Sequence, residues 1–93
     1  MNALNETQLQ ELLRTQPQWK LHDGKLVRNW TFQDFLQAMA FVNRIADLAE
    51  QAGHHPDIDI RYNRVTLGLV THDAGGITQR DAEMAAAISQ MFL

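Results

Sequence analysis

Asp57-Ile58-Asp59-Ile60-Arg61-Tyr62-Asn63-Arg64-Val65-Thr66-Leu67-Gly68-Leu69-Val70-Thr71 alternates apolar with polar side chains along most of its length. Successive side chains of a strand point to opposite faces, so this alternation reads as two half-buried strands. Ile58, Ile60 and Tyr62 share one face of the first. Val65, Leu67 and Leu69 line the inner face of the second, which ends near Thr71. Asn63-Arg64 is the expected two-residue turn, although arginine is a poorer choice than glycine at its second position.

Upstream, Asp34 to Ala52 carries the strongest helical period in the chain. Phe35, Met39, Val42, Ile45, Ala46, Leu48 and Ala49 cover about half of its girth at ~100° per residue. Phe41 and Ala52 widen that apolar arc, Gln37, Arg44, Asp47 and Gln51 face away, and Glu50 lies on the border. The helix should end near Gly53, because Pro56 drives His55 out of helical geometry. Downstream, Asp73-Ala74-Gly75-Gly76 reads as a flexible loop. Thr78 with Asp81 then opens a last helix whose Met84, Ala85, Ile88, Met91 and Phe92 share one side.

Toward the N-terminus, Asn5 and Gln8 form a capping box, with Leu4 and Leu9 placed as a hydrophobic staple. That first helix runs to about Arg14, burying Leu9, Leu12 and Leu13, and stops before Pro17. Trp19-Lys20-Leu21 is a short strand. Asp23-Gly24 supplies the tight turn into a second strand, Lys25–Phe32, with Leu26, Arg28, Trp30 and Phe32 on one face. The order αββαββα predicts an α+β fold: a four-stranded antiparallel sheet with helices packed on one face. The two αββ halves suggest a structural repeat, although no residue-level repetition accompanies it.

The chain has 93 residues, a length that predicts a single domain over 1–93. Its hydrophobic content of 45%, charged content of 20% and formal net charge of −3 suit a soluble globular protein. Without a dense Lys/Arg face, direct nucleic-acid binding is not expected. There is no apolar run of the ~18 residues that a membrane span needs. The absence of cysteine excludes disulfide and thiolate chemistry, and the N-terminus lacks the pattern of a signal peptide, so we expect a cytoplasmic protein.

Three of the four histidines fall between Glu50 and Asp81: the pair His54-His55, stiffened by Pro56, and His72 at the end of a strand. Imidazoles titrate near neutrality, so three together point to proton transfer or metal binding. Three imidazoles and a carboxylate could hold zinc. However, the sequence has no helical i,i+4 histidine pair and no cysteine, and adjacent histidines rarely reach one ion; no metal site is expected. Thr78-x-x-Asp81 also explains Asp81 as a helix cap, Tyr62 has the parity of a core residue, and His22 beside Asp23-Gly24 reads as surface.

The spacing Glu50, three residues, His54-His55-Pro56, five residues, Tyr62, nine residues, His72, eight residues, Asp81 resembles the signature of the pterin-4a-carbinolamine dehydratases. The flank Arg28, Trp30, Phe32 running into Asp34-Phe35 is similar too, and the resemblance covers roughly residue 19 to the C-terminus. It implies dehydration of 4a-hydroxytetrahydropterin to quinonoid dihydropterin and water, in the recycling of tetrahydrobiopterin-type cofactors beside an aromatic amino-acid hydroxylase. His54 and His72 would then be the catalytic acid–base pair. His55, the third catalytic residue on this resemblance, would bind and orient the pterin, Glu50 would orient His54 or meet substrate, and Asp81 would be a substrate contact or a cap. No metal or organic cofactor is implied, since the pterin is itself the substrate. A homodimer or homotetramer is implied as well. The alternative is a non-catalytic interaction protein, because animal relatives double as dimerisation cofactors of a homeodomain transcription factor. Gly53 and Ile58 depart from those relatives, which tend to carry Asp and Trp there. Both changes bear on pterin affinity more than on reaction type.

Overall fold

The computed structural model describes residues 2–91. Helix α1 (Glu6–Thr15) begins at the expected capping box: Asn5 Oδ1 accepts from the Gln8 N–H at 2.8 Å, and Gln8 Oε1 accepts from the Asn5 N–H at 2.9 Å. The hairpin β1 (Lys20–His22) and β2 (Lys25–Thr31) turns through Asp23 (φ 51°) and Gly24 (φ 76°). Paired positive φ angles give the turn a twist that matches its strands. Helix α2 (Phe35–Ala52) follows, then β3 (Asp57–Arg61), β4 (Arg64–Leu69) and α3 (Gln79–Met91). The architecture is therefore α+β in the expected order αββαββα.

The two hairpins join through their second strands, giving the all-antiparallel order β1-β2-β4-β3. In the central pair, Leu26 lies opposite Leu69, Arg28 opposite Leu67, and Trp30 opposite Val65. These residues share one face, and Leu26, Val65, Leu67 and Leu69 are fully buried on it beneath Leu12, Phe41, Ile45, Met84 and Ile88 of the helices. Arg28 remains on that face because its guanidinium lies 4.5 Å from the Trp30 ring and donates to Ser89 Oγ. Truncating a fully enclosed core leucine leaves a cavity as well as lost transfer energy. Leu67→Ala should therefore cost about 2–5 kcal/mol, a large part of the ~5–15 kcal/mol typical of a domain. A urea unfolding curve displaced by less than about 1 kcal/mol would contradict this assignment of the core.

Three expectations need correction. The β3–β4 turn is Tyr62-Asn63, one residue earlier than expected, because Arg61 pairs with Arg64. That register sets Ile58 and Ile60 beside Leu67 and Val65, whereas closing on Asn63-Arg64 would break it. Asn63 Nδ2 donates to the Phe32 carbonyl at 2.9 Å and anchors the turn. Tyr62 is left at the tip with φ 53° and 67% exposure, so it is not a core residue.

The buried row of α2 is Ala38, Phe41, Ile45 and Ala49, while Phe35 and Ala46 are exposed. The aromatic contacts set this rotation: Phe41 lies 4.7 Å from Trp30 and 5.1 Å from Phe32 between ring centroids. Finally, residues 72–76 form an ordered turn. A short 3-10 segment, His72–Ala74, passes through Gly75 (φ 70°) and is closed by pairing of Thr71 with Gly76. Phe92, expected on the apolar side of the last helix, lies outside the described residues.

Candidate functional site

The histidine elbow is fixed by the way α2 ends. Gly53 takes the left-handed conformation (φ 64°); its N–H reaches the Glu50 carbonyl at 3.3 Å, and the His54 N–H reaches that of Ala49 at 3.2 Å. The two bonds satisfy otherwise orphaned carbonyls of the last turn and require the chain to reverse at glycine. His54 is thus turned inward, with only 8% exposure, while His55 remains exposed.

His54 faces the first turn of α3. Its Nε2 lies 2.6 Å from Oδ1 of Asp81, a carboxylate with no exposed surface. An ionised carboxylate only accepts, so His54 Nε2 carries the hydrogen of this bond, and in the neutral form of the ring Nδ1 would hold the free lone pair. Asp81 Oδ2 accepts from Thr71 Oγ1 at 2.9 Å and from the Thr78 N–H at 2.8 Å. Thr71 has one hydroxyl hydrogen and gives it to Asp81, so Thr78 must supply the hydrogen of the 2.8 Å bond between the two threonines. Both oxygens of the Asp81 carboxylate thereby accept hydrogen bonds, the condition under which a buried charge is tolerated.

Glu50 holds a different histidine from the one expected. Its Oε2 bonds Nε2 of the exposed His55, and His54 is oriented by Asp81 instead. The helical i,i+4 geometry that would unite Glu50 with His54 stops at Ala52, before the histidine is reached. Asp81 acts as both cap and anchor. With its two oxygens occupied inside the protein, it offers no face for direct contact with a substrate.

The closed turn after β4 carries His72 to the same place. Gly53, His54, His55, Val70, Thr71, His72, Asp73 and Arg80 line one cavity of about 230 Å³. All three motif histidines are therefore gathered around a single depression. Among the described residues, no group of three His, Asp or Glu side chains is arranged to hold a metal ion. Two participants were missed in the sequence. Thr71 stands next to His72, but no spacing rule says that its hydroxyl reaches Asp81. Arg80 stands next to Asp81, and only the folded chain shows its guanidinium reaching back to the Gly53 carbonyl at 2.5 Å.

Comparison with known proteins places this geometry among relatives. Residues 2–91 match the family model described as pterin 4 alpha carbinolamine dehydratase. A protein of Acidobacterium capsulatum, provisionally named pterin-4-alpha-carbinolamine dehydratase, is 55% identical over 98% of this chain and 99% of its own. One from Chloroflexus aurantiacus with the same provisional name is 52% identical over 98% of each chain. Among solved structures, a transcriptional coactivator/pterin dehydratase from Brucella melitensis superposes with a TM-score of 0.89 at 36% identity, covering 97% of this chain and 98% of that one. A pterin dehydratase-like protein identified as a RuBisCO assembly factor in the alpha-carboxysome shares the fold, with a TM-score of 0.62 at 23% identity over 78% of this chain and 84% of that one. The motif histidines meet at one cavity, and the likeness runs almost end to end; this chain belongs to the pterin-4a-carbinolamine dehydratase family.

Proposed function

We propose that this protein dehydrates a 4a-hydroxytetrahydropterin to the quinonoid dihydropterin, with release of water. The observation that carries the reading is the convergence of His54, His55 and His72 on one cavity, with His54 held from behind by a buried carboxylate. Hydroxide leaves C4a slowly unless an acid protonates it, and the N5 lone pair pushes better once N5 has lost its proton. Imidazoles do both at neutral pH. We assign His54 and His72 to these two proton transfers and His55, paired with Glu50, to binding and orienting the pterin. Asp81 acts through His54. The family membership and the dehydratase names of the relatives support the reaction class. A direct assay tests it: the protein should accelerate the decay of carbinolamine absorbance generated by a pterin-dependent hydroxylase. No acceleration over the uncatalysed decay overturns the reading.

In this reading the described chain acts as one catalytic unit in the cytoplasm, beside an aromatic amino-acid hydroxylase that supplies the carbinolamine. No helix among the described residues is long and apolar enough to cross a membrane. Turnover requires no metal on this assignment, since both proton transfers run through imidazoles. Activity should therefore survive exhaustive chelation. Activity lost to chelator and restored by zinc, with one zinc per chain in elemental analysis, would overturn that assignment.

Self-association is also part of the proposal. Ile58 on edge strand β3 (40% exposed), Phe35 (46%) and Leu36 (77%) leave apolar surface that a second copy would cover. Sedimentation equilibrium at micromolar concentration should give a dimer or tetramer; a single 10.6 kDa species refutes it. A second functional reading is an interaction protein that partners a transcriptional regulator. The Brucella neighbour's description as a transcriptional coactivator favours it. Capture of a regulator by a protein without dehydratase activity would move the assignment there.

A further inference from the structure

We propose that Arg80 is a positioning residue: its guanidinium clamps the Gly53 carbonyl and thereby fixes the His54-His55 elbow against α3. The carbonyls at the end of a helix project from its C-terminus and carry partial negative charge, which a cation stabilises. Helix α2 has no basic residue in its last turn, so the cation comes from another helix. Arg80 supplies it from the first turn of α3, with Nη2 donating to Gly53 O at 2.5 Å. Its own backbone N–H is held by Thr78 Oγ1 at 3.2 Å, which anchors the base of the side chain.

Consecutive residues of α3 thus grip the elbow at two points. Asp81 holds the His54 ring, and Arg80 holds the peptide immediately before His54. A ring tied at one end only can swing about its backbone; tied at both, it keeps its free nitrogen at one place in the cavity. Arg80 also lines a second depression of about 230 Å³, which it shares with His54 and Glu83 and which is otherwise walled by the apolar Leu48, Ala52, Met84 and Ala87. It belongs to both depressions, as does His54, so its side chain is part of the boundary between them. Losing the guanidinium would release the Gly53 carbonyl and with it one of the two holds on the elbow.

The kinetic consequence rests on the dehydratase reading. Arg80→Met keeps the length and apolar stem of the side chain but removes every donor. We expect it to lower kcat/KM by about 10-fold to 100-fold, as displacement of a catalytic group by about an ångström does. The loss should divide between kcat, through His54, and KM, through His55. Arg80→Lys should recover part of it, since an ammonium can donate to one carbonyl but lacks the planar fork. Glu83→Gln, on the apolar depression alone, should match wild type.

Histidine-selective NMR supplies a readout independent of turnover: the His54 and His55 ring and amide signals should shift in Arg80→Met and stay put in Glu83→Gln. If the wild type has no dehydratase activity, the functional reading fails and these signals alone decide the clamp. Wild-type kcat/KM together with unshifted histidine signals in Arg80→Met would overturn the proposal. So would a variant that fails to fold, or that loses thermal stability with kcat unchanged per folded molecule, because Arg80 would then be structural only.

Discussion

Replacing His54 with alanine should lower kcat by about 10²–10⁴-fold, and replacing His72 should do the same, the usual worth of a positioned acid or base. The expectation rests on the placement of both residues on one cavity, at the end of α2 and in the turn after β4. On the proposed assignment each serves one end of the reacting N5–C4a bond, so losing either would leave one proton transfer to water. His55→Ala should behave differently. Its ring is exposed and paired with Glu50, so the main effect should be a raised KM with a much smaller change in kcat. Steady-state kinetics on the three variants separates these outcomes. Wild-type turnover in both His54→Ala and His72→Ala would sink the assignment of the acid–base pair. A kcat loss in His55→Ala as large as in the other two would remove the distinction between binding and catalysis.

The sequence carried the element order because each element has a local cause. The Asn5 box, the Asp23-Gly24 turn and the β2 and β4 alternations are readable within a few residues, and each forms where expected. What failed locally was set at a distance. Tyr62 has the parity of Ile58 and Ile60, but the strand ends one residue before it, at a register chosen by pairing with β4. The apolar arc of α2 spans both Met39 and Phe41, and only contact with Trp30 on β2 and Phe32 just beyond it decides which faces inward. The site divides the same way. The three histidines were legible as a spacing; the partners of those histidines were not. Glu50 looked like a partner for His54 because four residues on a helix are neighbours, but the reversal at Gly53 presents Glu50 to His55. Asp81 reaches His54, and Thr71 reaches Asp81, across sequence gaps that no periodicity connects.

Asp81→Asn should lower kcat by about 10²–10⁴-fold while leaving the fold nearly intact. Asparagine matches the size of aspartate, so no cavity forms, but one of its two terminal atoms becomes a donor. The amide must choose which end to present. Turned toward Thr71 and Thr78, its NH₂ would confront the Thr78 N–H and the Thr71 hydroxyl, two donors that now share Oδ2. Leaving a buried donor unpaired costs about 1–3 kcal/mol, so the carbonyl should stay on that side and the NH₂ should face His54. His54 Nε2 must then accept, which moves the ring hydrogen to Nδ1 and reverses the donor and acceptor roles of the two ring nitrogens. The protein would remain folded with His54, one of the two histidines proposed to transfer protons, in the opposite tautomer. Asp81→Ala would be a poorer test, because it strips the cap from α3 and leaves the Thr78 N–H without a partner at a fully buried position. Nitrogen-15 shifts of the His54 ring distinguish the tautomers directly, alongside kcat and the urea midpoint. A wild-type kcat in a folded Asp81→Asn variant, or a His54 ring still protonated at Nε2, would show that the buried carboxylate does not set the state of the histidine.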